Sequence, residues 1–277
     1  MNPYEYIEDG FTRLNRIINL CGKYELYVIL DLHAVQGWQN YDWHCDNDRF
    51  LTLFWQQKVF QDRFAELWQE IARRYKDNPI VACYNLMNEP VSNVPKGFLM
   101  QGYKPDWENI NRIYKSTVKK IREVDPKHII ALEGDFFSML FEGLEEPFDD
   151  NLVYSSHNYI QPATNPGEYP GKYGNVYWDR KKQAETFSKH QGVEFAKKFN
   201  VPLWVGELGV NLEGQTEQMK TYRIKALDDE LSVIEENGLH WTVWTYKDMG
   251  KMGLLNISND SEYVKLLEPV LKAENKI

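Results

Sequence analysis

Cysteine is scarce in this sequence, and acidic residues outnumber basic ones. Three cysteines occur among the 277 residues, Cys21, Cys45 and Cys83, and their odd number and wide spacing exclude a CxxC motif and a disulfide framework. Lys and Arg number 32 against 41 Asp and Glu, which gives a net charge of −9. Because this composition offers no basic surface, we expect neither a nucleic acid nor an anionic membrane as a partner.

Long apolar runs, repeats and linkers are also absent. No run of 18 or more apolar residues occurs, so no membrane-spanning helix is expected. The N-terminus, MNPYEYIEDG, lacks the basic and apolar regions of a signal peptide. We therefore expect a cytoplasmic protein if Met1 is the natural start, and a secreted one if the chain is a fragment. Because no linker divides the chain, residues 1–277 are predicted to form a single domain.

Helical and strand patterns alternate along the chain. Helical spacing of apolar residues predicts helices over 7–23, 58–75, 106–124, 179–199, 215–237 and 260–273. Apolar runs predict strands over 26–32, 80–90, 128–133, 152–156, 202–206 and 240–245, with long loops at 34–57 and 161–178. Strands that alternate with long helices form parallel βαβ units, so we predict an α/β fold. It is a TIM-type parallel (β/α) barrel, shortened to about six units.

Two glutamates stand at the C-terminal ends of predicted strands. Glu89 follows Asn88 at the end of the apolar run that begins at Ile80, and Pro90 then stops further strand pairing. Glu207 ends the run LWVG in the same way. Because the strands of a parallel barrel all end at one face, the two carboxyl groups can converge there. The alternatives are a helix cap for Glu89 and a buried structural role for Glu207.

A pair of carboxyl groups at one site favours cleavage of a glycosidic bond. One group must be protonated, with its pKa raised by an apolar pocket or a like charge, and the other must be kept ionised by hydrogen-bond donors. A separation of roughly 5–5.5 Å predicts retention of configuration through a covalent intermediate, and a wider gap that admits water predicts inversion. The sequence leaves both outcomes open.

Histidine and aromatic residues accompany the glutamates at the strand ends. His33 and His157 follow two further predicted strands, where each fits a core residue or a substrate contact. A metal site built from these histidines and the glutamates is the alternative, but no HxH or HExxH spacing supports it. Tyr159 can donate its hydroxyl group to a carboxylate and Trp244 can stack on a sugar ring, with core packing as the alternative for both. We predict no metal and no cofactor.

Five short motifs resemble those of family 5 glycoside hydrolases of the cellulase clan. They are DLH at 31–33, LMNEP at 86–90, HNY at 157–159, VGELG at 205–209 and WTYKD at 244–248. They occur in the family's order, and each falls on a predicted strand end. The resemblance runs from about residue 7 to the end of the chain. It implies a (β/α)8 barrel and a retaining double displacement.

The resemblance also implies roles for individual residues. Glu89 is expected to be the acid/base and Glu207 the nucleophile, held by Tyr159. The residues expected to bind the substrate in or near the −1 subsite are His33, Asn88, His157, Tyr159 and Trp244. Among these, Asn88 contacts the 2-OH of the sugar and Trp244 forms the floor of the subsite. Trp38, in the aromatic loop 34–57, is predicted as a further substrate contact.

The sequence departs from the family pattern at its start. The family has two further βα units before DLH, the second carrying an Arg that pairs with the nucleophile, whereas about 25 residues precede the first predicted strand here. These residues fill one helix, and the Arg has no match. The chain is then a fragment or a shortened barrel with exposed strand edges and apolar helix faces. For the shortened barrel, we predict that a second copy or the loop 34–57 covers the gap.

The predicted substrate is a β-linked glucan or oligosaccharide. The stretches DLHAVQGWQN and WTYKDMGKMGLL resemble the β-glucanase and β-glucosidase members of the family more than the mannanases. Two other functions remain open: a carbohydrate-binding protein that lost catalysis with the missing Arg, and a metal-dependent hydrolase on the same barrel. The intact pair of glutamates argues against the first, and inhibition by a chelator would identify the second.

Overall fold

The computed structural model of the protein describes residues 4–93, 102–212, 215–248, 252–253 and 255–256. Its helices are α1 Glu8–Lys23, α2 Leu53–Gln56, α3 Lys58–Tyr75, α4 Trp107–Arg122, α5 Asp135–Ser138, α6 Gln161–Thr164, α7 Arg180–Phe187, α8 Gln191–Phe199 and α9 Glu217–Glu236. Its strands are β1 Val28–Asp31, β2 Val81–Asn85, β3 Ile129–Glu133, β4 Leu152–His157, β5 Gly171–Tyr173, β6 Val176–Trp178, β7 Leu203–Glu207, β8 His240–Trp241, β9 Lys247–Asp248 and β10 Leu255–Asn256. None of these helices has the length and apolar character needed to cross a membrane.

Contacts along the chain group its residues into two compact units. The first unit comprises residues 1–156 and 191–204, and the second comprises 157–190 and 205–277. The first contains α1 to α5 and α8, and the second contains α6, α7 and α9. The organisation of residues 1–277 as a single domain stays a prediction.

Six strands form one parallel sheet, in the order β1-β2-β3-β4-β7-β8. Leu30 pairs with Tyr84, Tyr84 with Ile130, and Ile130 with Leu152, so these residues form one row across β1 to β4. The order follows the chain, as expected when each strand is joined to its neighbour through a helical connection. The predicted α/β fold with six parallel strands is confirmed. Two small pairs, antiparallel β5–β6 and parallel β9–β10, lie outside this sheet.

Helices α3 and α4 hold the strand ends of the first unit. α3 was predicted over its full length, and its Trp68 is almost fully buried and donates its indole N–H to the carbonyl of Leu86 at 2.9 Å. Tyr114 of α4 is equally buried and donates to the carbonyl of Glu133 at 2.8 Å. Burying a large apolar side chain stabilises a fold by roughly 1.5–3 kcal/mol. These two aromatic residues therefore stabilise the core and also fix the carboxyl ends of β2 and β3.

Helix α9 forms much of the core of the second unit. Its first turn is capped by Thr216, whose hydroxyl oxygen accepts the N–H of Met219 at 3.2 Å. α9 packs against α6 and α7. Its buried face carries Ala226, Val233 and one carboxylic acid, Glu230.

Several predicted boundaries are wrong. The strand predicted over 80–90 ends at Asn85, because the chain turns before Glu89, whose φ of 45° is incompatible with a strand. The strand predicted over 240–245 has two residues, His240 and Trp241. The helix predicted over 179–199 is two helices, since a turn at Ser188–His190 separates α7 from α8. The predicted loop 161–178 contains α6 and the β5–β6 hairpin, and the predicted helix 260–273 lies outside the described residues.

An exposed apolar surface lies at the N-terminal edge of the first unit. β1 stands at the end of the sheet order and pairs with β2. The exposed apolar residues of α1 and of the chain around it and β1 are Ile7, Ile17, Leu20, Tyr24, Leu26, Tyr27 and Ile29. Tyr27 is 77% exposed and Leu26 58%. This surface matches the open strand edge and apolar helix face expected of a shortened barrel.

Candidate active site

Glu89 lies on a turn just beyond β2 in the first unit. Its φ of 45° falls in the left-handed region, which costs a non-glycine residue roughly 1–2 kcal/mol. The N–H of Glu89 donates to Oε2 of Glu133 at 2.8 Å, and its carbonyl accepts from Nδ2 of Asn40 at 2.8 Å. Both partners are fully buried. These two hydrogen bonds offset the backbone cost and hold the turn that carries the Glu89 side chain.

A polar network continues beneath Glu89. The side-chain amide of Asn85 donates to Oε1 of Glu133 at 2.6 Å and to Oδ1 of Asp31 at 3.0 Å. The other oxygen of Asp31 lies 2.9 Å from Nδ1 of His33. Since a carboxylate only accepts, Nδ1 of His33 is the donor there. That leaves Nε2 of neutral His33 as an acceptor for the Asn88 amide, 3.4 Å away.

The loop after β1 is tied to the loop after β2 by one buried amide. Nε2 of Gln39 donates to the carbonyls of His33 and Asn88, both at 2.9 Å, and its Oε1 accepts the N–H of Val35 at 3.0 Å. The structure thereby brings three predicted site residues together in the first unit: His33, Asn88 and Glu89. Trp38 lies in the same loop, half-buried, with its indole N–H bonded to the carbonyl of Asp46 at 2.9 Å. A substrate contact of Trp38 stays a prediction.

The segment after Glu89 is anchored by Asp135. Oδ1 of Asp135 accepts the N–H of Ser92 at 2.9 Å, and Oδ2 accepts the hydroxyl groups of Ser92 at 2.8 Å and Tyr103 at 2.6 Å. Burial raises the pKa of Asp135, although the hydrogen bonds from Tyr103 and Ser92 act in the opposite direction. Asp135 therefore holds the chain at Ser92, just after the turn, while Glu133 holds it at Glu89.

His44 reaches Glu89 from the long loop. Its Nε2 lies 3.4 Å from Oε2 of Glu89. The His44 ring packs against His33, with ring centres 6.1 Å apart, and against Phe137 at 6.0 Å. No sequence signal singles out His44, because it ends no predicted strand and belongs to no recognisable motif. A titratable imidazole beside the carboxyl group can exchange a proton or a hydrogen bond with it.

Glu207 ends β7 in the second unit and is held by the HNY segment. The Tyr159 hydroxyl donates to Oε2 of Glu207 at 2.8 Å, and Nδ1 of His157 lies 3.7 Å from the same oxygen. The backbone N–H of Asn158 donates to the Glu207 carbonyl at 2.9 Å. Hydrogen bonds to the charged form favour an ionised carboxylate. Three predicted residues, His157, Tyr159 and Glu207, are therefore brought together.

The backbone of Trp244 lies against Leu208 and Gly209, which directly follow Glu207. Its backbone N–H donates to the carbonyl of Leu208 at 2.7 Å. A Cβ on Gly209 would lie 2.1 Å from the Trp244 carbonyl oxygen, so only glycine allows the two backbones to come this close. The Trp244 side chain is 40% exposed, and the peptide bond that follows it is cis. An exposed indole face of this kind suits stacking on a sugar ring.

Sequence reasoning missed several of the supporting residues. Glu133 ends a predicted strand just as Glu89 and Glu207 do, so the same signal would have found it. Asp31 stands within the quoted DLH motif, two residues before His33. Gln39 and Asn40 carry no comparable signal, because their role depends on loop contacts with residues 49 positions away.

Comparison with known proteins identifies the family. The model of the cellulase family, glycosyl hydrolase family 5, matches residues 2–250. This chain belongs to that family. Membership of glycosyl hydrolase family 5 places the chain among the glycoside hydrolases and confirms the resemblance carried by the five motifs.

Relatives of this family 5 chain include enzymes from a fungus and from bacteria. It is 32% identical over 288 residues to the β-xylosidase of Phanerodontia chrysosporium, an alignment that covers 100% of this chain and 56% of the relative. It is 28% identical over 282 residues to endoglucanase C of Acetivibrio thermocellus, covering 90% of this chain and 76% of the relative. This chain therefore spans little more than half the length of the β-xylosidase.

A solved endoglucanase from Thermotoga maritima has the same fold. It superposes with a TM-score of 0.71 at 24% identity, covering 97% of this chain and 80% of that one. The predicted class, a shortened α/β barrel, is confirmed.

Proposed function

We propose that this protein is a retaining glycoside hydrolase that cleaves β-glucosidic linkages in β-glucans or oligosaccharides. Glu89 acts as the acid/base and Glu207 as the nucleophile. Family membership and the position of each glutamate at a strand end support this assignment. The chain spans only 56% of the length of the β-xylosidase it matches, so the activity of the whole protein is proposed here and does not follow from that match.

The hydrogen bond from Tyr159 to Glu207 carries the assignment of the nucleophile. Its length of 2.8 Å, with His157 at 3.7 Å, leaves the carboxylate held in one orientation by polar partners. In the first step an oxygen of Glu207 bonds to the anomeric carbon as the bond to the leaving oxygen breaks. Glu89 supplies the proton that the leaving oxygen takes up.

The second step reverses the role of Glu89. Now a carboxylate, it takes a proton from water while the water oxygen bonds to the anomeric carbon and the bond to Glu207 breaks. This alternation needs a carboxyl group that keeps its position while its charge changes. Glu133 and Asn40 hold the Glu89 backbone from both sides, which supports this role.

A β-linked glucose polymer is the substrate class we favour. Endoglucanase C is named for action on glucans and the fungal relative for action on β-xylosides. His33 and Asn88 beside Glu89, and the exposed Trp244 beside Leu208, supply the polar contacts and the flat apolar face that a pyranose ring needs.

The test measures nitrophenol release from aryl β-glucoside, β-cellobioside and β-xyloside. The purified chain is compared with Glu89→Gln and Glu207→Gln. We expect the highest kcat/KM on the cellobioside and losses of several orders of magnitude in both variants. A folded parent that binds cellobiose without hydrolysing any of the three would contradict catalysis. Preference for the xyloside would contradict the substrate class.

We further propose a homo-oligomer in which a second copy covers the exposed apolar surface at α1 and β1. Leu26 and Tyr27, which directly precede β1, are among its exposed members. Light scattering should give at least twice the monomer mass for the parent and the monomer mass for Leu26→Lys. Lys181→Glu, a change of charge at an exposed position of α7, serves as the control. A monomeric parent would contradict the proposal.

A further inference from the structure

A buried carboxylic acid lies behind the HNY segment in the second unit. Glu230 of α9 is 2% exposed, and its Oε1 accepts the side-chain amide of Asn158 at 2.6 Å. Its other oxygen, Oε2, has no hydrogen-bond partner among the residues that the structure describes. Burying a carboxyl oxygen without a hydrogen-bond partner costs the fold free energy, and the cost is greater when the group is charged.

Asn158 connects this acid to the proposed nucleophile. Its backbone N–H donates to the carbonyl of Glu207 at 2.9 Å, while its side chain is held by Glu230. The next residue, Tyr159, donates its hydroxyl to Glu207 Oε2 at 2.8 Å. The side chain of Asn158 is thus bonded to α9, and its backbone is bonded to the end of β7. Movement of Asn158 would disturb both hydrogen bonds to Glu207, the one from its own backbone N–H and the one from the Tyr159 hydroxyl.

The surroundings of Glu230 favour its neutral form. Within the described part of the chain, Oε2 of Glu230 and Oε1 of Gln183 have no hydrogen-bond partner, and both residues line one small cavity with room for about one water molecule. A protonated Glu230 can donate a hydrogen bond into this cavity, towards Oε1 of Gln183, whereas a carboxylate can only accept. Burial raises the pKa of Glu230 to about 8, despite the hydrogen bond from Asn158, which acts to lower it.

We propose that Glu230 is a positioning residue of this glycosidase, which as a neutral acid fixes Asn158 and through it the nucleophile Glu207 with its donor Tyr159. The inference rests on the proposed function. Above pH 8 its ionisation would place a charge in the cavity, loosen the HNY segment and lower activity.

Two titratable groups contact residues that line the cavity: His190 packs against Phe187, and Tyr169 accepts from Gln183 and donates to Asp229. The other charged residues of the helices packed here are Arg180, Lys181, Lys182 and Glu185 of α7 and, nearest to Glu230 along α9, Arg223, Lys225, Asp228, Asp229, Glu235 and Glu236. Burial lowers the pKa of His190 and raises that of Tyr169, so both stay neutral between pH 7 and 9. The remaining residues that line the cavity are uncharged.

The kinetic test compares Glu230→Gln, Glu230→Leu and Asn158→Ala with the parent. Glu207→Gln is the inactive reference, and Glu236→Gln, an exposed residue of the same helix, is the matched control. We expect Glu230→Leu and Asn158→Ala to lower kcat about tenfold with KM within about twofold. Glu230→Gln, which keeps the acceptor and adds a donor, should retain kcat and lose the parent's decline above pH 8. A parent no better than Glu207→Gln refutes the proposed function, and an active parent matched by Glu230→Leu refutes the positioning role.

A second measurement is independent of activity and of the Leu variant. The backbone amide resonance of Asn158 is followed by ¹⁵N–¹H NMR from pH 6 to 9.5 in the parent and in Glu230→Gln. We expect the parent resonance to titrate with a midpoint near pH 8 and the Gln resonance to stay constant. A constant resonance in both proteins would overturn the inference, whatever the activity.

Discussion

Replacing Glu230 by Gln should stabilise the protein at neutral pH and have much less effect in acid. The native Glu230 carboxyl group is buried and has a pKa of about 8, against 4.5 for an ordinary glutamate. Below pH 4.5 the group is neutral in both the folded and the unfolded chain, so it carries no ionisation penalty. Between pH 4.5 and 8 the unfolded chain ionises while the folded chain stays neutral, and stability falls as pH rises.

The magnitude follows from the shift. Each pH unit in this window costs the folded parent about 1.4 kcal/mol, so the 2.5 units between 4.5 and 7 amount to about 3 kcal/mol. Gln cannot ionise and is free of this penalty. Its amide group can donate towards Oε1 of Gln183, as the neutral acid of the parent can, so this contact does not depend on pH in the variant. The pH-dependent difference between variant and parent therefore isolates the ionisation.

Urea unfolding at pH 4.5, 5.5, 7 and 8 measures this difference. The free energy of unfolding of Glu230→Gln relative to the parent should rise with pH, by about 3 kcal/mol between pH 4.5 and 7. Glu236 is exposed on the same helix, and its pairing with Arg180 lowers its pKa, so the difference between Glu236→Gln and the parent should stay constant from pH 5.5 to 8. A constant difference for Glu230→Gln over the same range would contradict the prediction, because it would mean that Glu230 ionises like an exposed glutamate.

Three further substitutions test the site. Tyr159→Phe removes the donor to Glu207 and should lower kcat by about tenfold to a hundredfold without lowering the melting temperature, and an unchanged kcat would contradict its role. Gly209→Ala places a methyl group against the Trp244 carbonyl and should cost about 1–3 kcal/mol in urea unfolding, and equal stability would contradict the close approach. Glu133→Ala leaves two buried N–H donors without an acceptor and should cost about 3 kcal/mol together with most of the activity, whereas an active variant would contradict its support of the acid/base turn.

The regular elements could be predicted where the local pattern determines them. Helix α3 was predicted over 58–75 and is found at Lys58–Tyr75, because its apolar spacing faces one continuous core. Six parallel strands were predicted and six form the sheet. Glu89 and Glu207 could be predicted as site residues because each acid follows an apolar run, which is a local signal.

The turn that carries Glu89 could not be predicted locally. The apolar run favoured a strand continuing to Pro90, but the chain leaves the sheet at Asn85. Its left-handed φ at Glu89 is stabilised by Asn40 and Glu133, which lie 49 and 44 residues away in sequence. Contacts of this kind arise only after the strands have paired.

The role of Glu230 in the second unit could be predicted only in part. Glu230 lies at helical spacing from Ala226, Leu227, Val233 and Ile234, so periodicity could have placed this acid on the buried face of α9. That face packs against α6 and α7. The partner of the acid could not be predicted, because the hydrogen bond to Asn158 spans 72 residues.

Trapping of the covalent intermediate would show which residue is the nucleophile. The chain is incubated with a dinitrophenyl 2-deoxy-2-fluoro-β-cellobioside, whose fluorine slows breakdown of a glycosyl-enzyme, and the labelled peptide is located by mass spectrometry. We expect one added 2-fluorocellobiosyl group per chain, attached to Glu207, and no label in Glu207→Gln. A label on any other residue, or steady hydrolysis with inverted configuration and no label at all, would contradict it.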